Sequence, residues 1–231
     1  MRKNEEDSRA RKIASVAKKS GADLVGFADL SKLRGFFNVT DDLIRDRPYG
    51  VCVAVGLERW GTYNSTTEDD LAFPLLERIA RAIEREIKRN GFSGRIVKPD
   101  KRVAHTGLHY WRGEISHKAA AKTAGLGWIG KSTLLVTPEL GPRVCLVTVL
   151  TDMPLPVGNP MKNRCGRCRL CVTACPLGVL KGPSFDDHPG KVELALDVKT
   201  CGRYVNRTWA DGQLCYKCML ACPLGKKKVT T

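Results

Sequence analysis

The chain has 231 residues, 42% hydrophobic and 27% charged, the balance of a folded globular protein rather than a disordered one. No apolar run approaches the ~18–20 residues a membrane helix needs, and the charged start Met1-Arg2-Lys3-Asn4-Glu5-Glu6-Asp7 does not read as a secretory signal, so a cytoplasmic protein with no membrane partner is expected. Lysine and arginine outnumber the acids 39 to 24, a formal charge of +15 with a pI near 9.5, which favours an anionic partner.

Along the chain, Ile13, Val16 and Ala17 recur at helical spacing and predict a helix over about residues 5–20, closed by Gly21. Residues 23–28 (DLVGFA) and 51–55 (VCVAV) read as strands, the second following the turn Arg47-Pro48-Tyr49-Gly50. Leu76, Ile79, Ile83 and Ile87 line one face of a helix expected over about residues 71–90, with Gly91 as its stop. An alanine-rich helix is expected over about residues 114–124, then strands at 133–137 and 143–150 joined by Pro138-Glu139-Leu140-Gly141-Pro142. The proline-rich stretch 153–163 (MPLPVGNPMKN) marks a boundary. It divides an α/β domain (1–157) from a small domain (158–231) whose few large apolar residues require metal staples.

Eight of the ten cysteines lie between Cys165 and Cys222. In a chain without a secretory signal, clustered thiols read as metal ligands rather than disulfides. Cys165-x₂-Cys168-x₂-Cys171-x₃-Cys175-Pro176 is the bacterial ferredoxin run, in which three thiolates hold one [4Fe–4S] cube and the fourth serves the other cube. Cys201-x₁₃-Cys215-x₂-Cys218-x₃-Cys222-Pro223 repeats the last three ligands after a long gap. The exchange predicts one cluster on Cys165, Cys168, Cys171 and Cys222, and another on Cys175, Cys201, Cys215 and Cys218. Structural zinc is the competing use of C-x₂-C pairs, but it rarely packs four cysteines into eleven residues before a proline, with a second Cys-Pro motif following. Cys52 and Cys145 lie in apolar runs and read as buried, inert thiols.

Gly125-Leu126-Gly127-Trp128-Ile129-Gly130-Lys131-Ser132 matches both G-x-G-x-x-G and G-x-x-x-x-G-K-[ST]. The context is inverted for a phosphate loop, because a helix precedes the glycines and a strand-like run follows. A helix stop and a tight turn, bringing backbone close to a neighbour or a bound cofactor, is the expected role.

The stretch from Ala124 through this turn to Leu135 resembles the signature of epoxyqueuosine reductases. The resemblance continues through Leu150-Thr151-Asp152-Met153-Pro154-Leu155 and both cysteine motifs. It implies a nitroreductase-like α/β domain binding cobalamin, followed by a ferredoxin-like domain with two [4Fe–4S] clusters that feed electrons to the corrinoid. It gives Gly125, Gly127, Trp128, Gly130 and Lys131 a cofactor-binding role. The family's aspartate proton donor has no counterpart in Gly107-Leu108-His109-Tyr110-Trp111-Arg112-Gly113-Glu114. Glu114 is the sole carboxylate between Asp100 and Glu139, and the dehalogenase relatives use a tyrosine, so Tyr110 and Glu114 become the candidate acids. A helix's first turn also favours a glutamate such as Glu114 for dipole reasons. The helical-repeat domain of many epoxyqueuosine reductases has no counterpart in this sequence.

No acidic residue lies between Met153 and Phe185, where Lys162, Arg164, Arg167, Arg169 and Lys181 surround the first cysteine motif. Two all-cysteine cubes would lower the formal +15 to about +11, still an excess that suits tRNA, a corrinoid protein or an acidic redox partner. His105, His109, His117 and His188 lack metal-ligand spacing. The expected function is an iron–sulfur reductase fed by a low-potential electron donor protein. The alternative is a non-catalytic two-cluster electron carrier, or a reductive activator, serving a partner enzyme.

Overall fold

The computed structural model describes residues 2–34, 41–57, 67–97, 114–183, 195–210 and 215–225. In chain order the elements are α1 (Arg2–Lys19), β1 (Leu24–Asp29), a 3-10 turn (Leu30–Leu33), α2 (Asp41–Arg45), β2 (Tyr49–Gly56), α3 (Thr67–Arg89), β3 (Gly94–Val97) and α4 (His117–Thr123). They continue with β4 (Trp128–Ile129), β5 (Leu135–Val136), β6 (Val144–Thr151), α5 (Leu170–Thr173), α6 (Val198–Ala210) and α7 (Lys217–Leu220). The fold is mixed α/β, and among the described residues no helix is long and apolar enough to cross a membrane.

Two compact units form. The first takes the described residues of Met1–Val55, Leu71–Leu126 and Cys145–Met161. The second takes those of Gly56–Asp70, Gly127–Val144 and Lys162–Thr231.

In the first unit a four-stranded sheet has the order β1-β2-β6-β3. β1 runs antiparallel to β2, with Leu24 opposite Ala54, and β3 runs antiparallel to β6, with Gly94 opposite Thr151. Val51 to Val55 are at most 1% exposed, as a continuous apolar run on a central strand requires. Leu76, Ile79, Ile83 and Ile87 of α3 are wholly buried, so the stripe read from the sequence is the core-facing one. Each such side chain contributes about 1.5–3 kcal/mol by leaving water. α1 and α4 both pack on β1. Gly26 of β1 makes room, since a Cβ there would lie 2.9 Å from the Ala124 carbonyl oxygen and from Leu126 Cδ2.

Element boundaries moved for local reasons. α3 starts at Thr67, one turn before the predicted residue 71. α4 starts at His117 rather than 114, because the Ser116 hydroxyl caps it by accepting from the Ala119 N–H. Glu114 therefore lies outside the helix, and the first-turn dipole role expected for it does not apply. The helix ends in a Schellman motif: Gly125 at φ +76° donates its N–H to Lys122 O, and Leu126 donates to Ala121 O. The strand expected at 133–137 shrinks to Leu135–Val136, since Thr133 sits at φ +63°, left-handed backbone that cannot join a strand. The 3-10 turn, α2, β3, β4, α5, α6 and α7 are elements the sequence reading did not assign.

The second unit has little apolar interior in its cysteine-rich segment. Among the described residues of 162–225, only Leu180, Ala195 and Met219 are buried hydrophobics. Among the described residues it holds the β4–β5 pair, with Trp128 opposite Val136, and the helices α5, α6 and α7, of which α5 and α7 pack together.

Candidate metal centres

The two cysteine motifs fold into matching local structures. α5 holds Cys171 and α7 holds Cys218, each in a one-turn helix. Each helix ends at an alanine, Ala174 or Ala221, and Cys175 and Cys222 follow at once. Cys175 N–H donates to Val172 O and Cys222 N–H donates to Met219 O. Pro176 and Pro223 then stop the helix, and Gly178 and Gly225 turn the chain at φ +62° and +69°. The repeat in sequence is a repeat in backbone.

The fields acting on the thiols show which ones the fold groups. Burial pushes Cys171 up, and the charges of Cys165, Cys168 and Cys222 push the same way. Burial raises Cys201 as well, followed by Cys175 and Cys215. Cys218 is pushed up to about 12 by burial, then by Cys215, Cys201, Cys171 and Cys175. Like charges that disfavour one another's ionisation are what a shared cation relieves, since only thiolates ligate. Among the described residues no three His, Cys, Asp or Glu side chains close around a single ion.

Around the first group the protein supplies a fitted surround. A Cβ on Gly130 would lie 2.7 Å from Val136 Cγ2 and 3.5 Å from Cys165 Sγ, so the turn passes close beside this thiol. Asn163 Oδ1 accepts the Cys165 N–H at 2.8 Å, and Asn163 Nδ2 donates to Ile129 O at 3.0 Å. The Trp128 side chain is 1% exposed, its indole N–H is buried without a partner, and the Arg164 guanidinium stacks 5.7 Å from its ring. An all-thiolate donor set suits an iron–sulfur cube.

Two buried cations hold this group's backbone. Lys131, 7% exposed, donates from Nζ to Gly166 O at 2.6 Å and Cys168 O at 3.0 Å. Arg143, 2% exposed, donates to Cys222 O at 3.2 Å and to Leu224 O. Burial pushes the Cys222 thiol up, opposed by the Leu224 N–H and the Arg143 charge. The sequence reading missed Arg143 and Asn163. A charged residue heading an apolar run (RVCLVTVL) is the signal that marks Arg143.

The glycine turn is not a phosphate loop, because a turn and β5 follow Lys131-Ser132 where a helix would have to begin. Its glycines are used against the protein's own backbone. A Cβ on Gly125 would lie 2.7 Å from Asn159 O, and one on Gly127 only 2.1 Å from Val136 O.

The Glu114 carboxylate is exposed and accepts from the Arg95 guanidinium. Tyr110, His105, His109 and His188 lie outside the described residues. His117 Nδ1 sits 2.9 Å from Thr148 Oγ1. Cys52 is buried and pushed up to about 12 by that burial, against a hydrogen bond with Thr148 that lowers it. Cys145 is half-buried.

A mixed α/β chain whose cysteines fold into paired ferredoxin-type motifs has the design of an iron–sulfur protein. No family model matches the chain. It is 35% identical over 126 residues to an epoxyqueuosine reductase of Listeria monocytogenes, an alignment covering 49% of this chain and 31% of that protein. The chain thus spans about a third of the length of that curated relative. A solved epoxyqueuosine reductase bound to a tRNA-Tyr epoxyqueuosine-modified stem loop shares the fold over 94% of this chain and 65% of its own, with a TM-score of 0.66 at 21% identity. A catabolic reductive dehalogenase in complex with 3-bromo-4-hydroxybenzoic acid shares it over 94% of this chain and 32% of its own, with a TM-score of 0.71 at 22% identity. The chain is a relative of the epoxyqueuosine reductases, as the resemblance implied, with a fold shared with reductive dehalogenases.

Proposed function

We propose that the chain is an iron–sulfur reductase of the epoxyqueuosine reductase type. Cys165, Cys168, Cys171 and Cys222 hold one [4Fe–4S] cluster, and Cys175, Cys201, Cys215 and Cys218 hold the other. Residues 158–231 act as the ferredoxin-like part and residues 1–157 as the nitroreductase-like part. The supporting observation is the grouping of the thiols: Cys171 feels Cys165, Cys168 and Cys222, while Cys201 feels Cys175 and Cys215, and Cys218 feels Cys215, Cys201 and Cys175 and also Cys171 of the first group. That is the exchange of the fourth ligand that the two-cluster ferredoxin pattern demands.

The clusters supply one-electron transfer. The protein's own part is to hold the loops: Lys131 ties Gly166 and Cys168 together, Arg143 ties Cys222 and Leu224, and Asn163 fixes the entry to Cys165. With the clusters bound, a low-potential donor protein would supply their electrons, and the final acceptor would be a corrinoid or a substrate of the epoxyqueuosine class on tRNA. The basic surface and the stem loop bound by the structural relative support a nucleic-acid substrate. For the corrinoid the described glycines offer no vacant cradle, since Gly125 and Gly127 press on Asn159 and Val136.

A second reading, a two-cluster electron carrier, is favoured by the engagement of Glu114 with Arg95, which occupies one candidate proton donor. Anaerobic purification with iron, sulfide and zinc analysis, followed by addition of cob(II)alamin and EPR, separates the readings. About eight irons per chain and a changed cobalt signal support the corrinoid reductase. Eight irons with an unchanged cobalt signal favour the carrier, and zinc in place of iron ends both.

A further inference from the structure

Of the four buried charged side chains among the described residues, Glu86, Lys122, Lys131 and Arg143, the latter two belong to the second unit. Both bond the same thiol group's backbone. Lys131 binds the Cys165–Cys171 loop, and Arg143 binds the turn that delivers Cys222. The other thiol group has a different setting. Cys201 feels the Asp197 carboxylate, which accepts from the Thr200 N–H. Among described residues its neighbouring cations, Lys199, Arg203 and Lys217, are exposed or solvent-facing. Arg164, Arg167 and Arg169 near the first group are also exposed. Exposed charges are screened over about 8–10 Å at ordinary salt, whereas buried ones are not.

Reducing an all-cysteine [4Fe–4S] cube by one electron takes its charge from about −2 to about −3. A fixed buried cation stabilises the reduced form more than the oxidised one, and a carboxylate does the reverse. We propose that Lys131 and Arg143 are potential-setting residues that place the Cys165/Cys168/Cys171/Cys222 cluster above the Cys175/Cys201/Cys215/Cys218 cluster, and so fix the direction of electron flow. With both cubes bound, one electron would leave the reduced second cube, returning it to its oxidised state, and would enter the oxidised first cube. An external one-electron reductant, dithionite in the experiment below, refills the second cube. The inference rests on the two-cluster reading but assigns to it an order that ligand spacing does not contain.

The experiment is an EPR-monitored redox titration of the full chain, purified anaerobically, with iron counted on every sample. Two midpoints are expected. Lys131→Gln keeps a hydrogen-bond donor and removes the charge. It should lower the higher midpoint by a tenfold change in the reduced-to-oxidised ratio, about 59 mV for a one-electron couple, and move the lower midpoint far less. Lys131→Arg, which keeps the charge, should restore it. An equal shift of both midpoints, a shift of the lower one, or no shift with full iron overturns the proposal. Should Lys131→Gln lose iron, the unsubstituted chain decides through a salt series from about 0.05 to about 1 M. A separation that persists comes from buried charge, and one that collapses comes from the exposed arginines and overturns the proposal. Fewer than eight irons in the unsubstituted chain instead overturns the two-cluster reading itself.

Discussion

Cys52 and Cys218 are both pushed up to about 12 by burial, one in each unit, but their surroundings differ. Cys52 sits in the buried apolar run of β2, where a hydrogen bond with Thr148 only partly offsets the burial that keeps it a thiol. Cys218 is crowded by four other cysteines, so a cation there would turn mutual repulsion into ligation. The first unit is held by hydrocarbon: β2, α3 and the alanines of α4 supply much of its buried apolar surface. Among the described residues, the second has three buried hydrophobics in its cysteine-rich segment and two buried cations bonded to loop carbonyls. A segment that small cannot offset its chain entropy by burial alone. One unit is therefore expected to fold by its core, and the other by its metal.

The largest effect that would break this contrast is loss of a cluster. Cys171→Ser removes a thiolate grouped with Cys165, Cys168 and Cys222. About half the iron should be lost, and residues 162–225 should become the first site of limited proteolysis, while β2 amides keep their slow hydrogen exchange. Stripping all iron with a chelator should do the same more completely. If the segment stays protected after the iron has gone, metal is not what holds it.

Next in size is the converse change. Ile83 is wholly buried on the core face of α3, and Ile83→Ala should cost about 2–5 kcal/mol in a denaturant titration. Iron per chain should be unchanged under native conditions. Iron loss on this substitution would show that the two units fold as one cooperative block, and the contrast would fail.

The sequence carried the helical stripe of α3, the central strand β2 and both cysteine motifs in local patterns, because each depends on spacing within one segment. What it hid depends on partners distant in the chain. Asn163 bonds Ile129, and Arg143 reaches Cys222, 79 residues away. The glycine turn shows the same limit. Its pattern marked close approach, but only the fold shows that Val136 and Asn159 are what Gly127 and Gly125 approach. A bulky residue at Gly127 would therefore disturb β4–β5 whether or not a cofactor binds, so loss of activity there would not identify a corrinoid enzyme. β3 and the start of α4 were hidden for a smaller reason: a four-residue strand has too few alternations to register, and the Ser116 cap overrides the helix propensity of the residues before it.

The smallest expected effect concerns Glu114, and it sharpens the contrast in chemistry rather than in stability. The pair with Arg95 is roughly half exposed on both sides, 43% for the arginine and 53% for the glutamate. Such a pair contributes about 0.2–1 kcal/mol, so Glu114→Gln should shift unfolding by no more than that. A general acid contributes about a hundredfold or more to rate, which is far outside what this ion pair can explain through stability. Single-turnover reduction of an epoxyqueuosine-containing stem loop by Glu114→Gln, with iron content matched, then reads the role directly. An unchanged rate leaves the carboxylate as a surface partner of Arg95 and moves proton donation to another group such as Tyr110. A loss of a hundredfold at full iron and unaltered stability would mean that the Arg95 pair opens when substrate binds. The first unit would then supply the proton while the second supplies the electrons.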